Sequence, residues 1–531
     1  MDLHRIVRSC LGTRHKGILD HAQTLGVFLQ NIILSPAPLY RIAQWAQPID
    51  SAALELTAAE KRAVNDDRIA RSLDALVTAR ARTLFFRLAV HVIEQFELDT
   101  KRIHHDTTTV TFHGQYQTSS REPKITHGNN KDHRPDLKQL VFGLNVTADG
   151  AVPISHDVYS GNRTDDTIHR SNVDRLRQIL HRADFIYVAD SKVATRKNLE
   201  HIAKYGGRFV TVLPRTRAED KRFRKALREG AAVRWRKLVE VENNRRKSDP
   251  PDVYYSTTAG PKETTEGHRI VWIRSAQKTE FDALAREKSL EKAEAQFFDL
   301  NTRLNRGKLR KRPAIQQKIK EVLDKNSCRR FLDVRIASQS SIETKRLRRG
   351  RPRKNDPVKR VRTRVYHLEV RRNKEALRAE ARTDGVFPLI TNLEPAKAPK
   401  KEILLIYKYQ PYVEKRHALF KSELEVAPAY IKKPLRAVGL VHSVFLAMTL
   451  DALIERTVRM NMVRDGIESL PILPEGRKTK TPTSARILEM FSDVCWYEFE
   501  RGGETVTFPI QLSPLQQQLL RLLDMDPSVY A

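Results

Sequence analysis

The sequence predicts an α/β protein with a sheet-bearing core, a helical N-terminal domain and an insertion that mixes strands with helices. Three observations carry this. Runs of strand length rich in β-branched or apolar residues, Arg102 to Phe112 and Phe185 to Ala189 among them, alternate with stretches whose apolar residues recur at helical spacing. Residues 1–98 show mainly the helical pattern. The interval from Asp190 to Glu414 exceeds two hundred residues, far more than a few core elements need, and it changes pattern several times.

Along the chain, Gly17 to Leu34, Ala58 to Asn65 and Asp67 to Phe96 carry apolar residues at helical intervals, which predicts a separate N-terminal domain over 1–98 without a clear helix-turn-helix signature. The first part of the core, 99–214, opens with the strand Arg102 to Phe112, closed by Gly114. Val146 to Asp149 and Gly150 to Ile154 read as two strands joined by an Asp-Gly turn. Phe185 to Ala189 is apolar enough for a strand covered on both faces, and a helix and strand follow from Arg196 to Leu213. The insertion, 215–384, holds strand-like runs at Val253 to Ser256 and Arg269 to Ile273. From Leu290, the residues Ala293, Phe297, Leu300 and Leu304 recur at three and four, a heptad-like seam broken by Arg306-Gly307 and Pro313. A second helix, Ala314 to Asp324, can fold back on the first as a hairpin. Strand character resumes at Arg364 to Val370 and at Gly385 to Thr391, where the chain rejoins the core for its second part, 385–465. Residues 466–531 read as an appendage: helix Ser484 to Phe491, strands around Cys495 to Phe499 and Thr505 to Ile510, and helix Pro514 to Met525.

Three acids stand out. Asp106 lies within the first strand, and Asp190 ends the apolar run 185–189. Burying an ionised carboxylate costs several kcal/mol unless something pairs it, and a divalent cation is one such partner. Asp190 can alternatively cap the helix that starts near Arg196. The third acid is Glu414, in Tyr407-Lys408-Tyr409-Gln410-Pro411-Tyr412-Val413-Glu414, with Lys421 beyond it. Two helical turns cover about 7.2 residues, so Tyr407, Glu414 and Lys421 fall on one stripe of a continuous helix, with Gln410 one turn before the acid. A solvated charged face gives the same spacing. Together, a strand acid, an acid at the end of a buried strand and an acid on a later helix are the parts of a ribonuclease-H-like nucleic-acid-cutting core.

The spacing 407–421 resembles the Tyr-x2-Arg-x3-Glu-x6-Lys signature of a group of DDE insertion-sequence transposases, with Gln410 in place of the Arg. Asp132 to Leu144 resembles a KDHRPDLKQ segment found in one branch of that group, and Ser160-Gly161-Asn162-Arg163-Thr164-Asp165 resembles its turn before a helix. Ser191-Lys192 follow the second acid where many relatives have Arg-Gly. The resemblance spans roughly 100–214 and 385–460. It implies a ribonuclease-H-like catalytic core in which Asp106, Asp190 and Glu414 hold Mg²⁺, with Mn²⁺ a possible substitute. It implies that Tyr407, Gln410 and Lys421 face the DNA end, and that residues 1–98 contact DNA ends or a partner subunit, a plain packing role being the alternative for that region. The reaction implied is hydrolysis at bacterial insertion-sequence ends followed by joining of the 3′-hydroxyl to target DNA, which requires at least a dimer on DNA.

Composition agrees. Lys and Arg number 96 against 64 acids, a net charge of +32, which points to a polyanion such as double-stranded DNA. Arg348 to Lys354, with Arg349, Arg351 and Arg353, resembles the core of an AT-hook that enters a minor groove; a basic linker is the plainer alternative. Ala437 to Ile454, the longest apolar stretch, contains His442 and Asp451 and reads as a buried helix rather than a membrane span, and the N-terminus lacks a signal-peptide pattern. Cys10, Cys328 and Cys495 stand far apart, so neither a disulfide framework nor a cysteine zinc site follows; a cytoplasmic, nucleoid-associated protein is expected. His104, His105, His113, His127 and His133 raise zinc as an idea, but without a ligand spacing they read as strand and loop histidines. Two other functions stay open: a DNA-binding protein that has kept this fold without cutting, and a ribonuclease-H-like nuclease without strand transfer.

Overall fold

The computed structural model describes residues 2–12, 18–116, 123–131, 134–242, 250–347, 358–423, 431, 433–495, 497–501, 504–508 and 510–530. The chain folds into two compact units. The first comprises Met1–Thr211, Thr391–Lys397 and Glu402–Ala531; the second comprises Val212–Ile390 and Ala398–Lys401.

Five strands build the first unit's sheet: β1 (Arg102–Phe112), β2 (Lys138–Thr147), β3 (Pro153–Ser160), β4 (Ile186–Val188) and β5 (Arg208–Val212). Their spatial order is β3-β2-β1-β4-β5. β2 runs antiparallel to β1 and β3, while β4 is parallel to both β1 and β5. Parallel neighbours need a crossover, and the helices His169–Leu180 and Arg196–Lys204 lie between β3, β4 and β5 in the chain. β1 is buried almost throughout, relieved only at Arg102, Asp106 and Thr111. The β2–β3 connection is looser than an Asp-Gly turn. Gly150 and Ala151 take the positive φ values of 80° and 51°, so the left-handed pair sits one residue later than the Asp-Gly motif suggests.

The N-terminal helices Leu3–Leu11, His21–Leu34, Asp66–Ala75 and Ala79–Gln95 share one hydrophobic core with the sheet rather than standing apart. Leu25, Phe28, Leu73 and Leu84 join Phe142 and Leu144 of β2 and Val441, Val444 and Met448 of the 31-residue helix Pro434–Arg464. Amphipathic helices of this length gain their stability by burying the apolar face against a partner, and the long helix is that partner. At Gly439 a Cβ would come within 2.3 Å of the Leu73 carbonyl oxygen, so glycine permits the close crossing. The long helix is apolar enough to cross a membrane by length and composition, but 78% of its most apolar window is buried inside the protein. His442 is a core histidine, its Nδ1 2.6 Å from His156 Nε2. The end of this helix, at Val458 and Met462, also anchors the C-terminal segment through Leu470, Ile487 and Leu519.

The second unit contains β6 (Arg236–Val241), β7 (Asp252–Ser256), β8 (Arg269–Ser275), the long pair β9 (Leu332–Arg346) and β10 (Val358–Arg372), and β11 (Val386–Thr391). Four of these lie in the order β11-β8-β7-β6, while β9 and β10 form a separate antiparallel ribbon. The helical hairpin is Ala276–Arg303 and Arg312–Lys325; its first helix begins well before the apolar seam at Leu290. Leu290, Ala293, Phe297, Leu300 and Leu304 bury against Ile315, Ile319 and the roots of the ribbon at Leu332 and Leu368. The AT-hook-like segment with Arg349, Arg351 and Arg353 lies outside the described residues.

Candidate active site

β1 places Asp106 at one of its few partly open positions, where the carboxylate accepts the Thr107 N–H at 2.8 Å. Strand alternation sends His105 to the opposite face, where its Nδ1 lies 3.0 Å from Asn145 Oδ1 within a buried network of Asn145, Asn172, Tyr187 and His169. That network ties β1, β2, β4 and the helix His169–Leu180 together behind the acid. Asp190 follows β4 directly. Its Oδ1 accepts the Lys192 N–H at 2.9 Å, capping the short turn Ser191–Val193, and its carbonyl accepts the Thr211 hydroxyl at 2.7 Å. The helix from Arg196 is capped by Thr195, so Asp190 is not its cap.

Glu414 enters on the helix Pro411–Ala418. The continuous helix expected from Tyr407 to Lys421 is broken twice. A first helix, Lys400–Lys408, ends before Tyr409-Gln410, because Pro411 offers no N–H and its ring displaces the preceding turn. Leu419–Glu423 then forms a π-turn that carries Lys421. The break does not separate Tyr407 from Glu414. Burial drives the Tyr407 phenol well above its ordinary value, and Asp190, Glu414 and Asp106 all add to the rise, so all four side chains share one electrostatic neighbourhood.

The acids also act on each other. Burial pushes the Asp106 carboxyl up to about 6; Asp190 and Glu414 add to this, while Lys131 and the Thr107 N–H oppose it. Asp190 is likewise raised, first by burial and then by Asp165, against Lys192 and Lys131. Asp106 is thus within electrostatic reach of both Asp190 and Glu414, each carried by a separate element.

Gln410 is placed differently from a DNA contact. It is buried, its Nε2 donates to the His105 carbonyl at 2.8 Å, and its Oε1 lies 3.1 Å from His104 Nδ1. Its amide binds the helix break to β1. Lys421 is half-buried, and its charge helps to hold down the pKa of His417.

Three neighbours of the acids were not singled out from the sequence. Asp165 accepts the Thr107 hydroxyl at 2.9 Å and pairs with Lys131 Nζ at 3.5 Å. Lys131 also donates to Thr107 O and Oγ1, both at 2.6 Å. His417, one turn after Glu414, lies with Nε2 3.8 Å from Asp106 Oδ2; burial pushes its imidazole down to about 3, so it is neutral. The sequence signal was proximity to quoted motifs: Asp165 closes the Ser160–Asp165 turn, and Lys131 precedes the Asp132–Leu144 segment, of which Asp132 and His133 lie outside the described residues.

The donor set is all oxygen and carries like charges in a poorly solvated place, which suits a hard divalent cation. Among the described residues, no three His, Cys, Asp or Glu side chains stand close enough to enclose one ion unaided.

Residues 1–90 match a domain of unknown function, DUF4277. No curated protein matches the chain. Several solved structures are similar over parts of it. The piggyBac transposase synaptic complex with hairpin DNA is 11% identical, with a TM-score of 0.27, over 52% of this chain and 58% of that one. The pre-cleavage Mos1 transpososome is 10% identical, TM-score 0.15, over 37% and 60%. The Mos1 mariner paired-end complex with Mn is 11% identical, TM-score 0.15, over 39% and 71%.

Proposed function

We propose that this chain is a DNA transposase of the DDE type with a ribonuclease-H-like core. What supports the reading is that Asp106, on a central strand, feels the charges of Asp190, at the end of its parallel neighbour, and of Glu414, on a later helix, and that Tyr407 feels all three. The strand order β3-β2-β1-β4-β5, antiparallel on one side of β1 and parallel on the other, supports the same fold.

Asp106, Asp190 and Glu414 would hold Mg²⁺, or Mn²⁺ in its place. Bound there, the ion would supply positive charge to a phosphodiester and lower the pKa of a coordinated water. The chain's own residues do the rest. Lys131 holds Asp165 and Thr107 beside Asp106, which orients that stretch of β1. Neutral His417 lies against Asp106 without adding charge. Tyr407 and Lys421 face the phosphates of the DNA end, and Gln410, at the place of the family's arginine, supports the site from within. In the proposed reaction, water hydrolyses the phosphodiester at each element end, and the freed 3′-hydroxyl displaces a 3′-oxygen in target DNA. Two ends imply at least a homodimer on DNA. A cytoplasmic, nucleoid-associated protein of a bacterial insertion sequence fits the charge of +32.

The test is incubation with Mg²⁺ and a linear duplex carrying the ends that flank the coding region, beside Asp190→Ala. Nicking at those ends by the wild type alone, with joined products, is expected. Nicking without joining would point to a nuclease. Equal binding by both proteins with no cutting would sink the enzymatic reading in favour of a DNA-binding protein.

A further inference from the structure

The β9–β10 ribbon changes character along one face. In its antiparallel register Leu368 lies opposite Ile336 and Val370 opposite Val334, and these side chains pack on the helical hairpin. The same hairpin covers the ribbon's edge: Asn305 and Asn301 side chains accept the N–H groups of Tyr366 and Leu368 at 2.7 and 2.8 Å. Beyond Tyr366 the same face continues as Arg364 opposite Ser340, Arg362 opposite Ile342 and Arg360 opposite Thr344. All three arginines are exposed. Among the described residues of 338–347 and 358–365, none is buried, and Ile342 and Val358 are 68% and 53% exposed. These two stretches contain Lys345, Arg346, Lys359, Arg360, Arg362 and Arg364 against the single acid Glu343.

A two-stranded ribbon without a third strand or a covering face is marginal in water. Clustered like charges weaken it further. Packing does not explain why this arm projects. A polyanion does, and the dimensions select one. Strands about 4.8 Å apart, with their side chains, fit a B-DNA major groove about 12 Å wide. Alternate residues on a strand stand about 6.8 Å apart, close to the rise of two nucleotides on one DNA strand. The deep, narrow major groove of A-form RNA does not admit such an element.

We propose that the distal β9–β10 ribbon is a DNA-binding arm that lies in the major groove of duplex DNA, with Arg360, Arg362 and Arg364 contacting the phosphates along the groove. The proposal rests on DNA being the partner of this chain, but not on the chain cutting it.

The experiment compares the full-length wild type, the triple variant R360S/R362S/R364S and the charge-keeping variant R360K/R362K/R364K. Affinity for a labelled duplex is measured over a range of salt, and cleavage by the wild type is scored separately. Each phosphate contact contributes about 0.9 to the slope of log K against log salt, so the serine variant is expected to lose about 2 to 3 from that slope and at least tenfold in low-salt affinity. The lysine variant should keep the slope. Because the three positions are exposed, neither variant should melt below the wild type. An unchanged slope and affinity in the serine variant would overturn the arm. So would equally tight binding of duplex RNA with the same dependence on these arginines. If the serine variant loses its slope while the wild type fails to cut, the arm stands and the transposase reading falls; a cutting wild type with an unaltered serine variant gives the reverse.

Discussion

Acids set into the interior are held in two different ways. Asp220 pairs with Arg224 at 2.8 Å and Asp384 with Arg286 at 2.6 Å in the second unit, and Glu455 pairs with Arg416 at 2.8 Å in the first. In the first unit Asp106 and Asp190 lie in an arginine-rich chain, yet what raises their pKa after burial is other carboxylates, and the cation acting on both is Lys131, which pairs with Asp165. Paired acids hold the fold, whereas unpaired ones cost stability and persist where chemistry needs them. The contrast lies between acids held by arginine and acids raised by one another.

It can be broken in four ways. The largest expected effect is on rate: Asp190→Ala should lower metal-dependent cleavage by about a thousandfold or more, roughly 4 kcal/mol of activation free energy, with its denaturant midpoint held or raised. Next, Arg224→Ala should strand Asp220 and release the carbonyls of Thr383 and Val386; a loss of about 3 to 5 kcal/mol is expected in equilibrium unfolding. A loss below 1 kcal/mol would erase the contrast.

The third concerns pH. Folding raises the Asp106 carboxyl from 3.8 to about 6. Between those values the native state holds a proton that the unfolded chain has released, so this group's contribution to stability falls as pH rises through that window. Asp106→Asn should therefore be more stable than wild type by about 3 kcal/mol above pH 6, with the gap closing towards pH 4. Mg²⁺ at tenfold its Kd should stabilise the wild type by about 1.4 kcal/mol and leave this variant unmoved. The smallest effect is Gln410→Ala. Losing the bond to the His105 carbonyl and the contact with His104 should cost about 1 to 2 kcal/mol in thermal unfolding. A drop in DNA affinity at full stability would instead return Gln410 to the DNA face.

The acids were legible in the sequence because each sits in a setting that local rules describe: a β-branched strand, the end of an apolar run, a helix with an aromatic one heptad earlier. The seam from Leu290 to Leu304 was legible for the same reason. What escaped depends on tertiary placement. Asp165 and Lys131 belong to loops whose conformations no periodicity encodes, and they meet only because β1 holds Thr107 between them. The helix break at Tyr409-Gln410 was written in Pro411, but heptad spacing was the stronger pattern and concealed it. The N-terminal helices looked like a domain because their apolar stripes are regular; that the stripes are covered by a helix more than three hundred residues later is a property of packing.

That long return has a consequence for timing. Asp106 and Asp190 both emerge before the second unit, but Glu414 follows only after that whole unit has been made, and the helix that completes the core ends at Arg464. At 5–20 residues per second, roughly 10 to 40 s separate the second acid from the third. Through that interval the ribosome displays a chain that already carries much of its positive charge but not yet the helix that carries Glu414.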